Sequence, residues 1–263
     1  MSPLVRAAIT GASSGLGRAL AAALAAPGAV VHLSGRDPAR LAETARLVRA
    51  RGSEATVTVL DVRDAAAVAA WIARAGRLDL VIANAGVSGG TAGGAAESAA
   101  QIRTIVETNV SGVINTVLPA IALMREQAPQ PDGVRGRIAV IASIAAFVPA
   151  PGAPTYCAAK AFADAWTVAT AETVARAGIL LTSVCPGYVA TPMTAGNRFP
   201  MPGLMSAERA AAIILRGVAR GRRRIVFPWW LGLAARMVGL LPARFATGLL
   251  GRAEGKALLG ATP

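Results

Sequence analysis

The chain has few aromatic residues, few cysteines and a single histidine, and each shortage removes a class of function. Aromatics make up only 4% of the 263 residues in an Ala-rich composition, which favours helices packed closely on strands over an all-β design. The two cysteines, Cys157 and Cys185, lack metal-site spacing, so a reduced cytoplasmic protein is the default expectation. With His32 as the only histidine, a Ser-His-Asp triad would have to use it, and a multi-histidine metal site cannot be built. It is expected as a sheet residue near the ligand pocket, and no metal is expected. No signal peptide is expected either, because residues 4–9 already read as a strand with no long apolar stretch before them.

Acidic residues are scarce too, and the net charge is +13. Charge of this size raises the question of nucleic acid, but it is unevenly placed. Between Arg216 and Lys256 stand nine basic residues against one acid, Glu254, which is +8 of the total. The excess belongs to a C-terminal patch mixed with Trp and Leu, which favours a membrane or partner over nucleic acid.

What is abundant is apolar sequence, 54% of the chain, and it alternates between strand and helix. Strands are predicted over 4–9, 29–34, 55–60, 78–83, 137–142 and 179–185. Helices are predicted from the first turn to about 26 and over 38–51, 64–75 (capped by Asp64), 102–127 and 155–177. The strands are continuous apolar runs, as in parallel strands covered on both faces. Repeated strand–helix–strand units predict an α/β, Rossmann-type, doubly wound and mainly parallel sheet of about seven strands. Residues 1–227 read as the dinucleotide-binding and catalytic body, and 228–263 as an apolar, basic, helical extension of the same domain.

Between the first strand and helix stands Thr10-Gly11-Ala12-Ser13-Ser14-Gly15-Leu16-Gly17. Three glycines there let the chain turn tightly, approach a pyrophosphate and pack the helix on the sheet, with the helix N-terminus favouring phosphate. The second strand ends Leu33-Ser34-Gly35-Arg36. An NAD site would place an acid there for the ribose hydroxyl, whereas a guanidinium suits a 2′-phosphate. NADP(H) is therefore expected ahead of NAD(H), with Asp37 facing outward or capping the next helix. Asp61 and Val62 after the third strand, and Asn84-Ala85-Gly86 after the fourth, fit a nucleotide lying across the sheet.

Tyr156 and Lys160 are four residues apart in a helix and share a face. A phenol is a poor acid–base at neutral pH, and a neighbouring ammonium favours its ionised form. Ser143, at the end of the preceding strand, can bind a substrate oxygen beside the phenol. Cys157 lies about 100° around the helix from Tyr156 and is expected to serve packing.

With these residues in place, residues 4–227 resemble the short-chain dehydrogenase/reductase family. The resemblance is carried by Thr10–Gly17, Asn84-Ala85-Gly86, Asn109, Ser143, Tyr156, Lys160 and Pro186-Gly187 with Thr191, in the family's order and intervals. It implies a tetrad of Asn109, Ser143, Tyr156 and Lys160. Tyr156 would exchange the proton, Ser143 would polarise the carbonyl, and Lys160 would bind the nicotinamide ribose and hold the tyrosine pKa down. Asn109 would steady a water beside Lys160 by locally disturbing its helix. Pro186, Gly187, Val189 and Thr191 would hold the nicotinamide. It also implies a homodimer or homotetramer paired through the helices at 102–127 and 155–177.

Residues 193–205 read as a lid, and Met193, Phe199, Ala145 and the residues around Ala145 as an apolar wall for a ketone or alcohol. The tail is interrupted by Arg236 and Pro242, which suits two short amphipathic helices better than a membrane span. These could cover the substrate, join another subunit or rest peripherally on an anionic membrane. Rival readings are a nucleotide-sugar epimerase, which would need a separate substrate domain, and a catalytically silent NADP sensor or scaffold, which could dispense with Tyr156.

Overall fold

The computed structural model describes residues 5–94, 96–197, 199–251, 256, 258 and 259. The body begins with β1 (Arg6–Thr10), α1 (Gly15–Leu24), β2 (Val30–Gly35), α2 (Pro38–Arg49), β3 (Glu54–Val59), α3 (Ala65–Arg74) and β4 (Leu80–Ala83). It continues with α4 (Ala99–Val106), α5 (Gly112–Glu126), β5 (Gly136–Ile141), α6 (Pro154–Ala175) and β6 (Ile179–Pro186). Two short elements follow, β7 (Val189–Ala190) and α7 (Pro192–Ala195), then β8 (Met205–Ser206), α8 (Ala207–Ala219) and β9 (Arg224–Phe227). The tail holds α9 (Trp229–Gly239) and α10 (Ala243–Leu250). Its two helices meet at Pro242, as the sequence predicts.

Seven strands form one sheet in the order β3-β2-β1-β4-β5-β6-β9, and every pairing is parallel. The strand order reverses between β1 and β4, so the helices after these strands lie on opposite faces and a crevice opens at the strands' carboxyl ends. Helices α1, α2 and α8 close one face through Leu20, Leu41, Val48 and Ile214, all fully buried. Helices α3, α5 and α6 close the other around Ile72, Val117, Met124 and Ala163. Asp64 and Asp37 cap α3 and α2 by accepting from Ala67 N and Arg40 N.

Four features depart from the sequence expectation. The seventh strand, β9, stands outside the predicted strands, as does α8 before it. Arg224 on β9 donates from Nε and Nη2 to Asp164 of α6, both at 2.8 Å, and Ser183 of β6 donates to the same carboxylate at 2.6 Å. This buried charge-assisted network fastens the edge strand to the body. The helix predicted over 102–127 starts earlier, at Ala99, and its local disturbance at Asn109, which the resemblance implies, is a π-turn at Glu107–Ser111. Ala99–Glu126 is long and apolar enough to cross a membrane, yet half of that stretch is buried in the fold. The lid is anchored at both ends, since β7 and β8 pair in parallel across it. His32 lies within β2, hydrogen-bonded to Thr56 of β3 at 2.8 Å, and does not line the crevice.

Candidate active site

The turn from β1 into α1 has the conformation its glycines allow. Gly11 and Gly15 sit at φ +65° and +51°, in the left-handed region that side chains disfavour. At Gly17 an added Cβ would collide with the carbonyl oxygen of Gly11. Asn84 braces the turn from below, its Nδ2 donating to the Thr10 and Gly11 oxygens at 3.0 and 3.1 Å. Thr10 Oγ1 in turn accepts from the backbone N–H groups of Asn84 and Ala85. Ser14 stands at the N-cap of α1 without spending its hydroxyl on the helix, so hydroxyl and helix N-terminus both remain for an anion.

A cleft of about 440 Å³ runs from this turn across the sheet. Gly11, Ser13, Ser14, Gly15, Leu16 and Gly17 line one end, joined by Arg36 after β2. Asp61, Val62, Asn84, Ala85 and Gly86 line the middle. Ser143, Tyr156 and Lys160, with Pro186, Gly187, Val189 and Thr191, line the far end. A glycine cradle with no room for a Cβ, a free helix N-terminus and an arginine at the end of β2 together fit a phosphorylated dinucleotide. Arg40, one helical turn after Arg36, also lines the cleft as a second guanidinium that sequence reasoning missed. Its position in the first turn of α2 was the available signal. Asp61 is committed to Arg63, whose guanidinium accounts for most of the downward shift of its carboxyl.

Tyr156 and Lys160 are buried on one face of α6. Lys160 Nζ lies 5.8 Å from the Tyr156 ring centre and donates to the carbonyl oxygen of Ile141 at 2.7 Å. Burial dominates the phenol, pushing its pKa up to about 12, while the Ser143 hydroxyl beside it works in the other direction. Lys160 is itself pulled down to about 8, chiefly by desolvation and secondarily by the charge of Lys256.

Asn109 lies in the π-turn, fully buried, beneath the cleft and not on its wall. Its Oδ1 accepts from Val87 N at 2.9 Å and its Nδ2 donates to Val87 O at 2.8 Å. Gly86 fits between it and Lys160, since a Cβ there would meet Asn109 Oδ1 at 3.1 Å and Lys160 Nζ at 3.6 Å. Cys157 is buried, and burial raises its thiol pKa, leaving it unreactive.

The expected substrate wall is only partly assembled. Met193 and Ser143 line the cleft, but Ala145 and Phe199 do not. Ala145 belongs to the 3-10 turn Ile144–Phe147, against which α9 lies so closely that a Cβ on Gly239 would collide with Phe147 O. Arg236 of α9 stacks over the Phe147 ring at 4.6 Å. Phe199 packs edge-on to Tyr188 instead, with ring centres 6.0 Å apart. Lys256, counted above only as one of the basic residues of the tail, has its Nζ 3.7 Å from the centre of the Tyr156 ring.

Comparison with known proteins agrees with this geometry. Residues 6–200 match the short chain dehydrogenase family. An uncharacterized oxidoreductase of Myxococcus xanthus is 37% identical over 240 residues, covering 90% of this chain and 92% of its own. A short-chain dehydrogenase from Sphingobium yanoikuyae in complex with NADPH superposes with a TM-score of 0.75 at 25% identity, over 90% of this chain and 94% of that one. A 3-oxoacyl-[acyl-carrier protein] reductase with bound NAD from Brucella melitensis gives 0.72 at 26%, over 85% and 89%.

Proposed function

The chain belongs to the short-chain dehydrogenase/reductase family, an oxidoreductase of carbonyl and CH–OH groups, and on that premise we propose an NADP(H)-dependent enzyme that interconverts an apolar or lipid-like ketone and its secondary alcohol. The observation that carries this reading is the convergence of Ser143, Tyr156 and Lys160 at one end of a cleft whose other end is a glycine phosphate cradle. A bound nicotinamide would supply or accept the hydride.

The protein's own part is positioning and proton transfer. Tyr156, protonated across the neutral range, donates its proton to the carbonyl oxygen in reduction and takes it back in oxidation. Ser143 donates a hydrogen bond to the same oxygen and so opposes its drift away from the phenol. Lys160, held by Ile141 O, keeps two N–H groups for the nicotinamide ribose. Asn109, in the π-turn, fixes the loop after β4 through both its bonds to Val87. Arg36 binds the 2′-phosphate, with Arg40 beside it. An intact Ser143–Tyr156–Lys160 set speaks against the silent-sensor reading.

Residues 228–263 act in this reading as an extension of the same domain that shields the substrate end. One face of α9 covers the Ile144–Phe147 turn. The other is apolar and open, with Trp229 73% and, just after the helix, Leu240 79% exposed; the exposed Arg222 and Arg223 precede β9, Arg223 paired with Glu172. Such a face suits peripheral contact with an anionic membrane. Arg224 faces inward to Asp164 and takes no part in it. Exposed Ile102, Val106 and Leu118 on α4 and α5 supply apolar surface for a homodimer or homotetramer. Two free, buried cysteines suit a reduced, cytoplasmic setting.

The test is a panel of ketones and secondary alcohols followed by nicotinamide absorbance with both cofactors. Turnover that favours NADP(H) and apolar carbonyls is the expected result. Tight cofactor binding with no turnover across the panel would overturn the enzyme reading in favour of a sensor.

A further inference from the structure

The chain carries 27 lysines and arginines, and only two of them, Lys160 and Lys256, are lysines. Both converge on Tyr156, with their Nζ atoms 5.8 and 3.7 Å from its ring centre. A chain that otherwise meets its need for positive charge with arginine has placed a compact, rotatable ammonium at these two positions.

Lys256 and Leu259 are tied to the body by hydrogen bonds of their backbones. Lys256 N donates to Gly152 O at 3.2 Å, and Lys256 O accepts from Ala92 N at 2.9 Å. Leu259 N donates to Gln101 Oε1 at 2.8 Å. Gly90 makes room for Lys256, since a Cβ there would stand 2.7 Å from Lys256 Cβ and 2.8 Å from its carbonyl oxygen. The ammonium donates to Ser88 Oγ at 2.8 Å and lies over the phenol ring. Among the described residues no carboxylate is within ion-pairing distance of it. Desolvation brings its pKa down to about 8, the mark of a cation short of compensation.

A desolvated ammonium with no carboxylate partner among the described residues is stabilised by an incoming anion. Lys256 is not itself on the wall of the cleft, but Tyr156 beneath it and Val87, next to its partner Ser88, both are. We propose that Lys256 is a substrate-binding residue that receives the carboxylate of an oxo acid whose ketone lies at Ser143 and Tyr156. This deepens the reductase reading and rests on it: the substrate class becomes a ketone bearing a carboxylate near the reacting carbon. The lipophilic part of the molecule would then extend toward Met193.

The experiment compares 2-oxooctanoate and 3-oxooctanoate with their methyl esters, in the wild-type enzyme and in Lys256→Met and Lys256→Arg. A charge-assisted hydrogen bond is worth about tenfold or more in affinity. The wild type should therefore favour the acids in kcat/KM, and Lys256→Met should lose about tenfold more on the acids than on the esters, with Lys256→Arg between. A second arm uses reductive methylation of the cofactor-bound protein, read at the two lysines by mass spectrometry. Octanoate, and not methyl octanoate, should protect Lys256. Equal loss on acids and esters, a gain on both, or protection by the ester alone would overturn the assignment and leave Lys256 as a plug over Tyr156. If neither acids nor esters turn over, the reductase reading fails on its own, and the protection arm still decides whether Lys256 binds carboxylates.

Discussion

The cofactor end of the cleft and its substrate end are held by different kinds of structure. At the cofactor end the walls are the carboxyl ends of parallel strands, with Ile9, Leu33 and Ile82 fully buried behind them. The turn itself is fixed by backbone conformation at Gly11 and Gly15 and by the Asn84 brace. At the substrate end Met193 and Thr194, at the start of the stretch tied between β7 and β8, join the wall, while helix α9 packs behind it on the Ile144–Phe147 turn and Lys256 is held over Tyr156 by a few hydrogen bonds. A core-embedded cradle suits a ligand that does not vary. A peripheral cap can change its side chains without disturbing the sheet, and this is where discrimination between substrates is expected to reside. Tyr156 stands at the boundary, on a core helix yet under the cap.

The sharpest way to break this division is at Tyr156. Tyr156→Phe removes the only proton donor proposed for the carbonyl, so turnover should fall by about 10²–10⁴-fold, while the cofactor dissociation constant measured by fluorescence titration stays near the wild-type value. Near-normal turnover would show that the boundary lies elsewhere. A pH series tests the same group from its charge state. Burial raises the folded phenol toward 12, so the basic form needed for alcohol oxidation is scarce at neutral pH and grows as pH rises. Oxidation should climb between pH 6 and 9 by up to about tenfold per unit, the limit for a single ionisation, whereas ketone reduction should not rise. A flat oxidation profile would contradict a proton-holding Tyr156.

On the cofactor side alone, Arg36→Ala should narrow the preference for NADP(H) over NAD(H) by about tenfold, since one charge-assisted contact to a phosphate is lost. Dissociation constants for both cofactors measure it. If the wild type binds both equally, the guanidinium at the end of β2 is a solvated turn residue. The smallest effect belongs to the cap. Removing one exposed arginine in Arg222→Ala should weaken co-sedimentation with anionic vesicles by about fivefold, in line with roughly 1 kcal/mol per basic residue at such a surface. Cofactor affinity should stay unchanged. Absence of vesicle binding at low salt would assign the open face of α9 to another copy of the chain or to solvent.

The same boundary separates what the sequence could say from what it could not. Apolar runs alternating with amphipathic ones dictated parallel strands and covering helices. The glycines of Thr10–Gly17 and the four-residue step from Tyr156 to Lys160 are local, so conformation and helical geometry alone bring them into relation. The strand β9 was not legible: its four residues are half buried and begin with the last of three successive arginines, and only the buried Asp164 partner shows why Arg224 belongs inside. Arg40 was hidden because which face of α2 meets the cleft depends on how that helix docks. The burial that pushes the Tyr156 phenol up was not legible either, because it is a property of the whole fold and not of the residue's neighbours in sequence. Lys256 was hidden most completely, since 96 residues separate it from Lys160 along the chain. Periodicity reports contacts within an element. Which distant side chain comes to lie over the Tyr156 ring is decided by how the tail closes on the folded sheet.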